Sequence, residues 1–97
     1  MISPFCGATI YKTDGVDTVC KLSKTFEKET VIAISKFLRL DYGDTSFEDV
    51  MVNEDALKHF DRVLAVYETS EGKLWVSAES KDGKEYTTLT VLFPHEY

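Results

Sequence analysis

Residues Val63–Phe93 read VLAVYETSEGKLWVSAESKDGKEYTTLTVLF, and the period of this stretch decides the fold. Apolar and polar residues alternate through Val63–Thr69, Leu74–Glu79 and Glu85–Phe93, as strands with one buried face require. Glu71-Gly72 and Asp82-Gly83 supply turn dipeptides between them. Read as two-residue loops, these turns pair Tyr67 with Val76, Ala65 with Ala78, Val76 with Leu89 and Leu74 with Val91. One face then collects Val63, Ala65, Tyr67, Leu74, Val76, Ala78, Leu89, Val91 and Phe93, nearly all apolar. The other collects Glu68, Trp75, Ser77, Glu79, Tyr86, Thr88 and Thr90. Two independent turn assignments that agree on one apolar face specify an antiparallel meander. Phe93-Pro94 ends it, and His95–Tyr97 reads as a tail.

Upstream the period becomes helical. Phe26, Thr30, Ala33, Ile34, Phe37, Leu38 and Asp41 lie on one side of a helix that Thr25 caps, that reaches about Asp41 and that Gly43 stops. Thr45-Ser46-Phe47-Glu48 matches a capping box for a short helix through about Val52. Asn53 then caps a third helix, Glu54–Arg62, with Ala56, Leu57 and Phe60 turned inward. Before these, Ala8–Thr13 and Val16–Leu22 read as two strands joined by Asp14-Gly15, a type I′ turn dipeptide. Ile2–Gly7 is an irregular lead-in punctuated by Pro4 and Gly7. The order ββ-ααα-βββ predicts one α+β domain over residues 1–97, an antiparallel sheet with helices packed on one face.

The chain has 97 residues, 43% of them hydrophobic and 12 of them aromatic, enough for a core without metal or disulfide support. Its first residues lack the basic and apolar regions of a signal peptide, and no apolar run approaches the roughly 20 residues of a membrane span. A cytoplasmic monomer is the expectation. In the predicted hairpin Cys20 faces Thr9 and Cys6 lies beyond the paired region, so both are expected as free thiols. A net charge of −6 disfavours direct binding to nucleic acid or anionic lipid.

That charge is not evenly spread. Asp41–Asp61, DYGDTSFEDVMVNEDALKHFD, sets Asp41, Asp44, Glu48, Asp49, Glu54, Asp55 and Asp61 against Lys58 alone, a local −6 that equals the whole chain's excess. Helix-start preferences account for Glu48, Asp49, Glu54 and Asp55, but not for the absence of any Lys or Arg between Arg39 and Lys58. Calcium chemistry fails the spacing test. An EF-hand loop begun at Asp41 would put Gly43, Thr45, Ser46 and Val52 where two oxygen ligands, a glycine and a glutamate are needed. Carboxylates held as anions at helix starts are the reverse of what a general acid needs. His59 and His95 have no partner at metal-ligand spacing, and no serine elbow or phosphate-cradling glycine run occurs. No catalytic residue, metal or cofactor is expected, and no motif identifies an activity.

A small single-domain acidic α+β chain with no catalytic constellation resembles, as a class, the phage-encoded inhibitors that imitate DNA, among them anti-CRISPR and anti-restriction proteins. The resemblance rests on size, on Asp41–Asp61 and on the missing chemistry. It implies a non-enzymatic stoichiometric inhibitor, acting in the cytoplasm of an infected host. Its carboxylates would meet Lys and Arg in the nucleic-acid channel of a protein complex such as a CRISPR effector or restriction system. Seven carboxylates over a helical length of roughly 30 Å give about one per 4 Å, near the spacing of about 3.4 Å between phosphates of one DNA strand. Phe47 and its apolar neighbours Val50 and Met51 would add affinity. The alternative is a structural or regulatory subunit that binds a protein through Trp75 and Tyr86 on the sheet, acidic only for solubility.

Overall fold

In the computed structural model, which describes residues 3–97, the chain runs β1 (Thr9–Lys12), α1 (Asp14–Leu22), α2 (Lys24–Leu38), α3 (Phe47–His59), β2 (Val63–Thr69), β3 (Gly72–Glu79) and β4 (Thr88–Leu92). A 3-10 turn, Pro94–Glu96, closes it. Ile2 of the expected lead-in lies outside the described residues. The strands form one sheet in the order β1-β4-β3-β2. β2, β3 and β4 are antiparallel neighbours, as read from the sequence, whereas β1 runs parallel to β4. Mixed α and β content is therefore confirmed, but the sheet is mixed rather than purely antiparallel and the order is β-ααα-βββ. Among the described residues no helix is long and apolar enough to cross a membrane.

The meander keeps its faces although both turns differ from expectation. Tyr67 pairs with Leu74 and Ala65 with Val76, because the β2–β3 loop is Ser70-Glu71 with Gly72 opposite Thr69. Val76 pairs with Val91 and Ala78 with Leu89, because Ser80–Thr87 forms a longer connection. Each pairing is displaced by two residues, and a two-residue displacement restores every side chain to its face. Val63, Ala65, Tyr67, Leu74, Val76, Ala78, Leu89, Val91 and Phe93 are all buried.

The second predicted strand, Val16–Leu22, is instead α1. Thr13 caps it by accepting from the Val16 N–H (3.3 Å), and Val16 and Cys20 point into the core one turn apart. Its β-branched residues suggested a strand, but packing against β1 and β4 decides the matter, and Asp17–Lys21 at i, i+4 supports the helix (2.9 Å). No hairpin forms at Asp14-Gly15, which is why β1 pairs with β4. The cysteines are free, Cys6 exposed and Cys20 buried.

Ser23, not Thr25, caps α2, and the helix ends at Leu38, where Leu40 takes the left-handed conformation (φ 64°) in place of the glycine stop expected at Gly43. Phe26, Thr30, Ala33 and Phe37 face the sheet as read. The lead-in is not idle: Phe5 is buried, stacked on Phe37 (4.7 Å between centroids) and edge-on to Tyr86 (5.0 Å). Nor is the C-terminus a loose tail. Glu96 accepts from the Thr13 hydroxyl (2.7 Å) and the Phe93 N–H (2.8 Å). A Cβ on Gly15 would stand 2.6 Å from Glu96 Oε2, so the glycine leaves room for a carboxylate over the start of α1.

α3 replaces the two short helices expected from Thr45 onward. Ser46 caps it, accepting from the Asp49 N–H (3.2 Å). Asn53, expected as a cap, is buried at mid-helix with its side chain on the sheet edge. Its amide donates to Leu64 O (2.8 Å) and its oxygen accepts from Leu64 N–H (3.2 Å). Further along β2, Val66 N–H donates to Thr45 Oγ1 (2.8 Å), Val66 O accepts from Asp44 N–H (2.9 Å), and Glu68 N–H donates to the Asp44 carboxylate (2.8 Å). The outer edge of β2 is thus closed by the chain's own loop and helix.

Two predictions follow from these contacts. Asn53→Ala leaves both Leu64 backbone groups unpaired under α3 and is expected to cost about 2–3 kcal/mol in urea unfolding. For Glu96, burial pushes the carboxyl up, but hydrogen bonds from Phe93 N–H, the Thr13 hydroxyl and Gly15 N–H outweigh it and hold the group below the ordinary glutamate value. A depressed carboxylate stabilises the fold above its unfolded value of about 4.3, and that stability is lost as pH falls through the lower folded value. Between pH 5 and pH 3 the urea midpoint of the wild type should therefore fall more than that of Glu96→Gln.

Candidate functional site

The seven acidic residues divide by what holds them. Asp41 and Asp44 belong to the loop that closes the β2 edge. The Asp41 carboxylate accepts from Gly43 N–H (3.0 Å), and its carbonyl accepts from the Tyr67 hydroxyl (2.7 Å). Gly43 lies so close to Tyr67 that a Cβ would meet the ring at 2.4 Å, and its φ of +59° suits glycine. Burial pushes the Tyr67 hydroxyl up, helped by Asp41, so it stays a neutral donor. Asp44 is spent on Glu68 N–H.

Glu48, Asp49, Glu54 and Asp55 all project from α3 and are exposed. At about 100° per residue, Glu48 and Asp55 share one outward stripe about 10 Å apart. Glu54 lies to one side of it, and Asp49 is turned toward the side of Asn53 and Ala56, where it is exposed at the mouth of the groove beside Thr45. Asp61 is exposed beyond the helix end, and its carbonyl accepts from the Tyr86 hydroxyl (2.8 Å). Among the described residues the ion pairs are Lys12–Asp17, Lys21–Asp17 and Arg62–Glu79. None of the seven takes part in one, although Lys58 lies four residues from Glu54 and three from Asp55.

Apolar side chains lie among these carboxylates. Phe47 is 79% exposed, Met51 51% and Val52 63%. Val50, expected beside them, turns partly inward against the core. Val52 also lines a shallow groove of about 230 Å³ with Thr45, Asp49, Asn53, Arg62, Leu64 and Val66. The helical breaks inferred at Val52 and Asn53 hid it. Read as one unbroken helix from Ser46, the same residues place Met51 and Val52 outward between Glu48 and Asp55.

The aromatic pair expected on the sheet does not exist as a pair. Trp75 lies on the face away from α1 and α2, half-buried under Tyr97 (5.4 Å, edge-on), with the Arg62 guanidinium over the Tyr97 ring (4.5 Å). Its indole N–H is buried without a partner among the described residues. Tyr86 lies in the β3–β4 connection, not on the sheet, and is only 2% exposed. It packs between Phe5 and Phe60, and its hydroxyl donates to the carbonyls of Ala56 (3.3 Å) and Asp61 (2.8 Å) at the end of α3. Tyr86 is therefore a core residue and not part of an exposed surface, because the longer β3–β4 connection removes it from the alternating register.

Chemically, the exposed side of α3 is an anionic helix with apolar side chains in its midst, suited to meeting a surface that is cationic and partly apolar. No family model, curated protein or solved structure matches the chain.

The division among the acids is measurable as stability. Asp44→Ala frees Glu68 N–H and should cost about 1 kcal/mol in urea unfolding. Glu54→Gln and Asp55→Asn, whose carboxylates have no hydrogen bond or ion pair among the described residues and lie beyond the first turn of α3, should stay within about 0.5 kcal/mol of the wild type, shifting upward at low salt as self-repulsion falls.

Proposed function

We propose that this protein is a non-enzymatic, stoichiometric inhibitor that engages a basic nucleic-acid-binding site of a protein complex through the exposed side of α3, in the manner of a nucleic-acid mimic. One observation carries the reading: Glu48, Asp49, Glu54 and Asp55 project from one helix into solvent with no ion-pair partner among the described residues. A one-signed surface works against its own fold through repulsion, and a cationic partner turns that cost into affinity and a faster encounter. The separation of Glu48 and Asp55, about 10 Å, is close to three phosphate steps of about 3.4 Å. Asp61 extends the same negative field past the helix end. Asp41 and Asp44 contribute charge, but their carboxylates serve the loop. Phe47, Met51 and Val52 supply the apolar contact that a polynucleotide backbone lacks, so binding would outlast moderate salt. CRISPR effectors and restriction systems, in the cytoplasm of an infected cell, are the partners this chemistry fits.

The test uses the quadruple variant Glu48→Gln, Asp49→Asn, Glu54→Gln, Asp55→Asn, which spares Asp44 and the β2 edge. Wild-type protein immobilised on resin should retain a nucleic-acid-binding complex from host lysate and release it to salt or to duplex DNA. The variant, with an unchanged circular dichroism spectrum, should lose on the order of a hundredfold in affinity, about 0.7 kcal/mol per carboxylate. Simultaneous binding of partner and nucleic acid without competition would exclude the mimic.

The second reading, a regulatory or structural subunit, keeps Trp75 alone of its original pair. The unpartnered indole N–H beneath Tyr97 favours it. In that case Trp75→Ala abolishes partner retention and the quadruple variant does not.

A further inference from the structure

β1 and β2 are the two edges of the sheet. The outward backbone groups of β2 are occupied by Asn53, Thr45 and Asp44. Those of β1 have no partner among the described residues. Thr9 N–H donates to Thr87 O and Thr13 N–H to Val91 O, so the odd-numbered residues point toward β4. By alternation, the N–H and C=O of Ile10 and Lys12 point outward. The side chains there are exposed as well, Ile10 by 45% and Tyr11 by 55%. The register against β4 runs without a bulge, and the strand contains no proline. An edge of this kind is a template for another strand.

Charge selects whose strand it takes. Asp41–Asp61 is anchored at β2, the far edge, and like charge prevents two copies from meeting there. Around β1 the signs alternate. Lys12 and Lys21 flank Asp17 at 3.9 and 2.9 Å, and Lys12 shares a shallow groove with Glu27, Lys28 and Val31. With both signs interspersed, such a surface can meet its own copy across a two-fold axis without the one-signed repulsion that α3 would impose. We infer that β1 is a self-association edge, at which two copies pair antiparallel and join their sheets into one continuous sheet.

Parity sets the register. Ile10 and Lys12 exchange backbone hydrogen bonds with Lys12 and Ile10 of the second copy, and Tyr11 meets Tyr11 of the second copy on the axis as a non-hydrogen-bonded pair. Seven strand spacings then separate the two β2 strands, about 34 Å in a flat sheet. Charges that far apart are screened, since the Debye length is about 8 Å at physiological salt. The dimer replaces the monomer expected from the sequence and carries an acidic α3 at each end. This inference stands whether or not α3 binds a basic partner.

Sedimentation velocity of the full chain, from low micromolar to several hundred micromolar, should show a concentration-dependent dimer. Lys12→Pro removes an outward N–H and the long Lys12–Asp17 contact (3.9 Å) but no bond to β4, and should sediment as a monomer with an unchanged circular dichroism spectrum, whereas Lys12→Ala, which loses the same charge and keeps the N–H, should still dimerise. In a Cys6→Ser background, Tyr11→Cys should form a disulfide-linked dimer on mild oxidation, because such pairs hold their Cα atoms about 4.5 Å apart. A wild type that stays monomeric and a Tyr11→Cys variant that does not cross-link overturn the inference. So does a dimer that Lys12→Pro leaves intact. If a monomeric wild type binds a partner protein and Lys12→Pro prevents it, the edge belongs to an extended segment of that partner and the inference is likewise overturned.

Discussion

A strand with no neighbour still has backbone groups to satisfy, and the structure depends on how β2 meets that requirement. The chain leaving α2 turns at Leu40, lays Gly43 against the Tyr67 ring, and delivers Asp44, Thr45 and Asn53 to successive outward groups from Leu64 to Glu68. With that loop pinned, Ser46 starts α3 along the edge, and Tyr86 ties its other end through the carbonyls of Ala56 and Asp61. The orientation of α3 follows. Asn53 and Ala56 are buried, Val50 and Leu57 pack partly against the core, and Phe47, Glu48, Asp49, Met51, Val52, Glu54 and Asp55 are exposed. The candidate surface is thus a by-product of closing an edge.

This arrangement gives the acidic segment two kinds of carboxylate. Asp41 and Asp44 accept backbone N–H groups and would be expected in any protein that closed its sheet this way. Glu48 and Asp49 sit in the first turn of α3, where the helix dipole favours an anion by about 0.3–1 kcal/mol. Glu54 and Asp55 have neither reason. They stand beside Lys58 without pairing to it, and exposed pairs of that kind contribute little in any case. The unexplained part of the charge is therefore narrower than Asp41–Asp61 as a whole and lies on the outer side of one helix, next to the most exposed apolar side chains of the segment.

How legible the molecule was depends on the range of the interaction involved. Buried faces of the meander could be read because alternation is local and an error of two residues in a turn does not change parity. The helical side of α2 was legible for the same reason, through Phe26, Thr30, Ala33 and Phe37. α1 was not: Val16, Thr18 and Val19 favour a strand in isolation, and only the space over β1 and β4 makes Asp14–Leu22 a helix. Phe5 and Tyr86 were misjudged because nothing near either in sequence signals burial. They are buried by each other, by Phe37 and by Phe60. Asn53 looked like a cap because caps and buried edge clamps use the same short amide.

By itself, then, the sequence determined which side chains share a face and where negative charge concentrates, since periodicity and composition are properties of neighbours along the chain. Tertiary structure alone decided which strand lies beside β1, which aspartates are tied to backbone, and which sides of α3 meet water. The last two outcomes depend on N–H and C=O groups of β2 finding partners 11 to 24 residues away, and the first on Thr9 meeting Thr88 near the other end of the chain; no local pattern encodes a partner at such distances.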